Sequence, residues 1–197
     1  MKNLLLLSFL IFSGCSVTNA PISEYRITPT LEKITLNAQM CKDKSLKIAQ
    51  VFSSNSLMSK KMKYAQDDYK EFSFNESEWA VSPNNAITKE LVKSVRDTEL
   101  FSNVTSFKSR SRSDLILETS VEDFMQYFST NNKKSYVNVV ISMTLIDAKN
   151  SKTIETKTFA KKVNVESINA YGGVTALNSA FGTVLGENRE WLESLCL

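Results

Sequence analysis

Val137, Val139, Ile141, Met143 and Leu145 occupy every second position, with Asn138, Ser142 and Thr144 between them. Side chains on a strand point to opposite faces in turn, so this period puts the apolar groups on one side and the polar ones on the other. The stretch is therefore a strand with one buried face, and something apolar has to cover it. Asp147-Ala148-Lys149-Asn150-Ser151-Lys152 turns the chain, and Thr153 to Val165 returns as an adjacent antiparallel partner. On the other side, Asn131–Lys134 forms a polar turn. Before it, Asp114 to Val121 reads as a strand that runs on, with a bulge, through Phe124 to Phe128.

The cover is supplied at the C-terminal end. After Gly172-Gly173, the residues Val174, Leu177, Phe181, Val184, Leu185, Trp191, Leu192 and Leu195 fall on one face of a long helix. Gly182, Gly186 and Asn178 lie inside it, and each glycine costs about 1 kcal/mol of helix propensity against alanine. Such residues imply a close approach, and tight packing of the helix on the sheet is the reading preferred. A membrane dimer motif is disfavoured because Glu187, Arg189 and Glu190 follow at once.

The first half is less regular. Tyr25–Thr28 is a short strand halted by Pro29, and Thr30 to Lys44 carries no clear period. Leu46–Phe52 reads as one strand, and Met62–Ala65 with Tyr69–Phe74 as a hairpin across Gln66-Asp67-Asp68. Ser82-Pro83 signals a helix start, with serine capping free amides and proline at the first helical position. Ile87, Leu91 and Val95 then mark a buried face running to about Leu100, and Val104–Phe107 is a short strand. The expected fold is α+β: a single two-layer domain with a mixed, mainly antiparallel sheet and at least two amphipathic helices packed on it.

A hydrophobic fraction of 42% and a charged fraction of 23% suit a globular chain able to bury such a core. The formal charge of only +3 gives no electrostatic case for nucleic acid. With no histidine, Ser-His-Asp and Cys-His systems and imidazole-bound zinc are impossible. No Ser-x-x-Lys, Gly-x-Ser-x-Gly, phosphate-cradling glycine loop or Cys-x-x-Cys occurs, and no metal site is expected. The pairs Asp67-Asp68 and Glu122-Asp123 are the candidates for acid–base work. They lie in or near turns, where solvated surface is the plainer reading, so no catalytic residue is assigned and an enzyme is not expected.

The N-terminus reads as an address. Lys2 precedes an apolar run from Leu4 to Phe12, within the roughly 7–15 residues of an export-signal core and short of the ~20 that span a bilayer. Phe12-Ser13-Gly14-Cys15 resembles the lipobox of bacterial lipoproteins, with Phe12 where leucine is usual. That resemblance implies cleavage before Cys15 and a covalent lipid on its thiol. It divides the chain into a signal peptide (1–14), a lipidated tether (15–23) and a folded domain (24–197). The tether from Ser16 to Ser23 reaches at most about 25–30 Å, so the domain stays close to its membrane. In an exported, oxidising compartment the remaining cysteines, Cys41 and Cys196, are free to pair if their Cα atoms come within about 4.4–6.8 Å. Two separate thiols near the ends of the domain are the alternative.

Two other features bear on binding. Lys108, Arg110 and Arg112 alternate with serines, so an extended chain would turn all three to one face, toward an acidic partner or anionic lipid headgroups. A charged edge that discourages sheet-to-sheet aggregation is the plainer explanation. The aromatic series Tyr64, Tyr69, Phe72, Phe74 and Trp79 is either core or a docking surface.

The order of these features carries a further resemblance. Tyr64, an aromatic hairpin, Trp79-Ala80, a step containing Pro83 and an amphipathic helix come first. Leu100-Phe101-Ser102-Asn103-Val104, Asp114–Leu117, the alternating strand from Val137 to Ile146 with Asp147, its return and a helix ending in Trp191-Leu192 follow. Together with Cys15, this order resembles the auxiliary lipoproteins of ABC-type lipid transport systems, which accompany MCE-domain (Mla-like and Pqi-like) transporters. The resemblance implies a non-enzymatic accessory protein without a cofactor, anchored to the periplasmic face of the outer membrane. It would dock on the MCE-domain component and help lipid pass between membranes, and it could form a homo-oligomer. Ser16 fits release to the outer membrane, because aspartate there is the signal for inner-membrane retention. A structural envelope lipoprotein that scaffolds a secretion or cell-wall machine is the alternative.

Overall fold

The computed structural model describes residues 21–31, 36, 39–67 and 69–197. In chain order the strands are β1 (Ser23–Tyr25), β2 (Ser45–Ile48), β3 (Phe52–Ser53), β4 (Lys61–Gln66), β5 (Lys70–Trp79), β6 (Asn103–Ser106), β7 (Leu115–Phe128), β8 (Ser135–Asp147) and β9 (Lys152–Asn164). The helices are α1 (Pro83–Arg96) and α2 (Ala170–Ser194), with a short 3-10 turn at Asn55–Met58. All of these strands belong to one mixed sheet centred on β7. One edge of β7 carries the long antiparallel ladders to β8 and on to β9. The other edge receives β2, β3 and β4 in parallel at successive heights, with β6 beyond β2 and the antiparallel β5, then β1, beyond β4.

The two-residue period of β8 decides the layers. Val137, Val139, Ile141 and Met143 are fully buried, and α2 covers them with Leu177, Phe181, Val184, Leu185 and Leu192. α1 lies beside α2 on the same face and packs on β6 and β2 through Ile87, Leu91 and Val95. Arg189 Nε of α2 donates to Ser94 Oγ of α1 at 2.9 Å, a buried bond between the helices. The opposite face of the sheet carries polar cross-strand pairs. There Ser142 hydrogen-bonds Thr158 at 2.6 Å and Thr144 bonds Thr156 at 3.0 Å across the ladder.

The α+β two-layer architecture, the β4–β5 hairpin and the β7 bulge agree with the sequence; several boundaries differ for physical reasons. The stretch from Leu46 to Phe52 is two strands. Ala49 N–H reaches Leu117 O, but Val51 N–H turns aside to Thr88 Oγ1 on α1, at 3.1 Å, before the chain rejoins β7. β1 occupies residues 23–25, so the body begins within the expected tether. Residues 26–28 leave the sheet because Asn178 of α2 accepts from Thr28 N–H at 2.7 Å and donates to Arg26 O. α1 stops at Arg96 because Glu99 takes a left-handed conformation with φ 56°. Ser82 caps no amide with its side chain, which instead accepts from Asn85 Nδ2.

α2 starts before the glycines, capped by Asn169 Oδ1, which accepts from Gly172 N–H at 2.9 Å. A Cβ at Gly172 would fall 1.9 Å from Ser167 O, and one at Gly173 1.9 Å from Gln126 Oε1. Close approach is thus required at the helix start. Gly182 has Thr30 O at 3.3 Å from such a Cβ, and Gly186 has nothing within 4 Å. The expectation that Gly182 and Gly186 mark tight contact with the sheet is therefore not met.

Candidate functional site

The inward face of α1 leaves a second stripe outside. Lys89, Val92, Lys93 and Arg96 follow the i, i+3, i+4, i+7 spacing that aligns side chains along one helix face. This stripe borders an open groove of about 620 Å³ whose other wall is Ser106, Phe107 and Lys108, at the end of β6. An adjoining cavity of about 400 Å³ shares Val81, Asn85 and Lys89 with it and extends to Arg26–Thr28. Five cations, Arg26, Lys89, Lys93, Arg96 and Lys108, therefore line one continuous depression with Val81, Val92 and Phe107 between them.

The charges on this surface are solvated. Lys89, its side chain 79% exposed, lies 4.0 Å from the buried Glu90, and Arg96, 61% exposed, lies 3.9 Å from Asp97. At 3.9–4.0 Å with the cations largely exposed, these contacts hold the cations only weakly, which leaves them open to whatever approaches from solvent. Lys108 Nζ sits 5.8 Å from the ring centre of Phe107, which keeps charge and apolar surface adjacent. Such a surface suits an anionic ligand that also offers apolar groups.

Lys108, Arg110 and Arg112 do not share the face of an extended strand. The segment turns, with Ser109 N–H donating to Ser106 O at 3.0 Å and Lys47 Nζ reaching Ser111 O at 2.6 Å. Lys108 enters the groove, whereas Arg110 and Arg112 follow in the exposed loop. The stripe Lys89, Val92, Lys93, Arg96 was not singled out in the sequence, although its helical spacing was visible there.

The aromatic series divides. Trp79 is core, 6.3 Å from Phe124 between ring centres. Tyr64, Phe74 and Phe128 form a half-buried cluster at the far end of β7, with Tyr64 and Phe74 centres 4.6 Å apart. Phe72 stacks on its exposed side, and Tyr69 projects into solvent from the hairpin.

Of the carboxylate pairs, Glu122, Asp123 and Asp67 are hydrogen-bonded within the domain. Glu122 and Asp123 straddle the bulge in the middle of β7 rather than a turn. Glu122 accepts from Ser142 Oγ, and Asp123 accepts from Tyr127 Oη at 2.7 Å and Asn138 Nδ2 at 2.8 Å. Burial pushes the Asp123 carboxyl above its ordinary range against these donated bonds, and burial with the bond to Asp123 pushes the Tyr127 phenol up. Asp67 accepts from Thr130 Oγ1 at 2.6 Å; Asp68 lies outside the described residues. No group of three or more His, Cys, Asp or Glu among the described residues is placed to hold a metal ion.

Cys41 and Cys196 form a disulfide with their Cα atoms 5.3 Å apart. Cys15, the signal segment and the start of the tether lie outside the described residues. No helix among the described residues is long and apolar enough to cross a membrane.

Residues 25–187 match the family described as the ABC-type transport auxiliary lipoprotein component. Among solved structures, a DUF330 protein from Xanthomonas campestris superposes with a TM-score of 0.74 at 16% identity, over 86% of this chain and 94% of that one. An uncharacterized protein gives 0.68 at 14% identity, over 88% and 99%. A hypothetical protein from Chlamydia trachomatis gives 0.50 at 7% identity, over 77% and 96%. At these identities the structural likenesses speak to the fold. No curated protein matches the chain by sequence.

Proposed function

The chain belongs to the ABC-type transport auxiliary lipoprotein component family, and on that premise we propose that it is a non-enzymatic accessory subunit of an MCE-type lipid transport system. It is held to the periplasmic face of the outer membrane by lipid on Cys15, docks on the periplasmic MCE-domain component and assists lipid passage between the membranes. The observation that carries this reading is the family match over most of the folded domain, residues 25–187. The bonding of Glu122 and Asp123 within the sheet supports the non-catalytic part, since one oxygen of Glu122 is engaged by Ser142 and one of Asp123 by both Tyr127 and Asn138. ATP hydrolysis belongs to a partner subunit.

Affinity purification of the detergent-extracted lipoprotein from its own envelope tests the proposal. Recovery of an MCE-domain protein, with its permease and ATPase, is the expected result. Reproducible recovery of secretion or cell-wall components alone sinks it.

A further inference from the structure

We propose that the cationic groove along α1 is the face that the domain lays on an anionic phospholipid leaflet. The inference rests on the reading that Cys15 carries the anchor, and adds which side of the domain meets the membrane.

Three observations converge on that face. The first is charge: Arg26, Lys89, Lys93, Arg96 and Lys108 line one depression against a single lining carboxylate, the buried Glu90, so positive charge prevails there. Basic residues near a leaflet of anionic lipids are each attracted to it within about a Debye length. The second is apolar content. Val81, 52% exposed, lines the groove together with Val92 and Phe107, giving the mixture of cations and modest hydrophobes that suits a headgroup boundary.

The third is reach. The tether ends at Ser23, the first residue of β1, and Arg26 follows three residues later. Their Cα atoms are thus within about 10 Å of each other. A tether of at most about 25–30 Å keeps the body against the leaflet, and the groove begins beside its point of attachment. An acidic protein segment satisfies the charge but gives no reason for this position. Three of the five cations are lysines, whose flexible ammonium groups suit a fluid array of phosphates better than a fixed carboxylate geometry.

The test uses the full lipoprotein in vesicles of phosphatidylethanolamine and phosphatidylcholine, with or without a quarter phosphatidylglycerol. Lysine acylation rates are read by mass spectrometry. Expected is slowing of Lys89, Lys93 and Lys108 by about threefold or more in the anionic vesicles, reversed by high salt. Lys157, on β9 at the far edge of the sheet, is the internal control. Lys93→Gln with Arg96→Gln should abolish the slowing at Lys89 and Lys108, and both residues are exposed, so the fold is spared.

Equal rates in both vesicle types overturn the proposal, as does protection that appears only when an envelope protein is added. If the chain fails to float with the uncharged vesicles, the Cys15 anchor is wrong. The labelling of the soluble chain with added anionic vesicles then still decides which face binds.

Discussion

Ser45 donates twice to one oxygen of Asp114, through its backbone N–H at 2.8 Å and its hydroxyl at 2.7 Å, and accepts from Asp114 N–H at 3.1 Å in return. The pair locks the first residue of β2 to the start of β7. The donated bonds, the backbone one foremost, hold the Asp114 carboxyl below its ordinary value. Because the folded value is lowered, the contribution to stability is complete above the unfolded value of about 4 and is lost as pH falls through the lowered one. Asp114→Asn should therefore be less stable than the parent at pH 7, with the gap closing toward pH 3. Thermal unfolding at pH 7, 5 and 3 measures it. A gap that stays constant with pH removes the carboxylate charge from the explanation.

The glycines of α2 predict opposite signs for the same substitution. Gly172→Ala drives a Cβ to 1.9 Å from the Ser167 backbone oxygen, which has to move, at a cost of about 1–3 kcal/mol. Gly186→Ala meets nothing within 4 Å and should gain up to about 1 kcal/mol from helix propensity. Urea unfolding of the two variants settles the ordering, and equal shifts would contradict it.

The disulfide ties the segment before β2 to the residues just past the end of α2, where Met40 N–H also reaches Cys196 O at 3.1 Å. It closes a long loop, with the two cysteines 155 residues apart. Paired Cys41→Ser and Cys196→Ser should cost about 2–4 kcal/mol and leave the fold assembled. Denaturant midpoints with and without reductant report the difference; the double variant itself should be insensitive to reductant.

Cys15→Ser removes the proposed anchor without touching the described domain. The protein should leave the outer-membrane fraction, keep its thermal midpoint and lose its role in transport. Full activity from a protein that stays membrane-bound contradicts anchoring through this residue.

Where side chains repeat with the period of one element, the chain was legible before it was folded. β8, its return in β9, the β7 bulge and the buried faces of α1 and α2 follow from spacing alone, because local geometry determines which side chains share a side. Breaks imposed by partners far along the chain were not legible. Val51 leaves the ladder for Thr88 of α1, and Thr28 leaves it for Asn178 of α2.

The sequence by itself determined a covered sheet, the helices that cover it and the family resemblance carried by their order. Only the tertiary structure decided where charge accumulates. Lys89, Lys93 and Arg96 are one stripe of a helix, Arg26 and Lys108 come from distant segments, and the groove exists because β1 and β6 bring those segments to α1. A near-neutral composition says nothing about such a surface, since electrostatic potential depends on distances between charges and not on their sum.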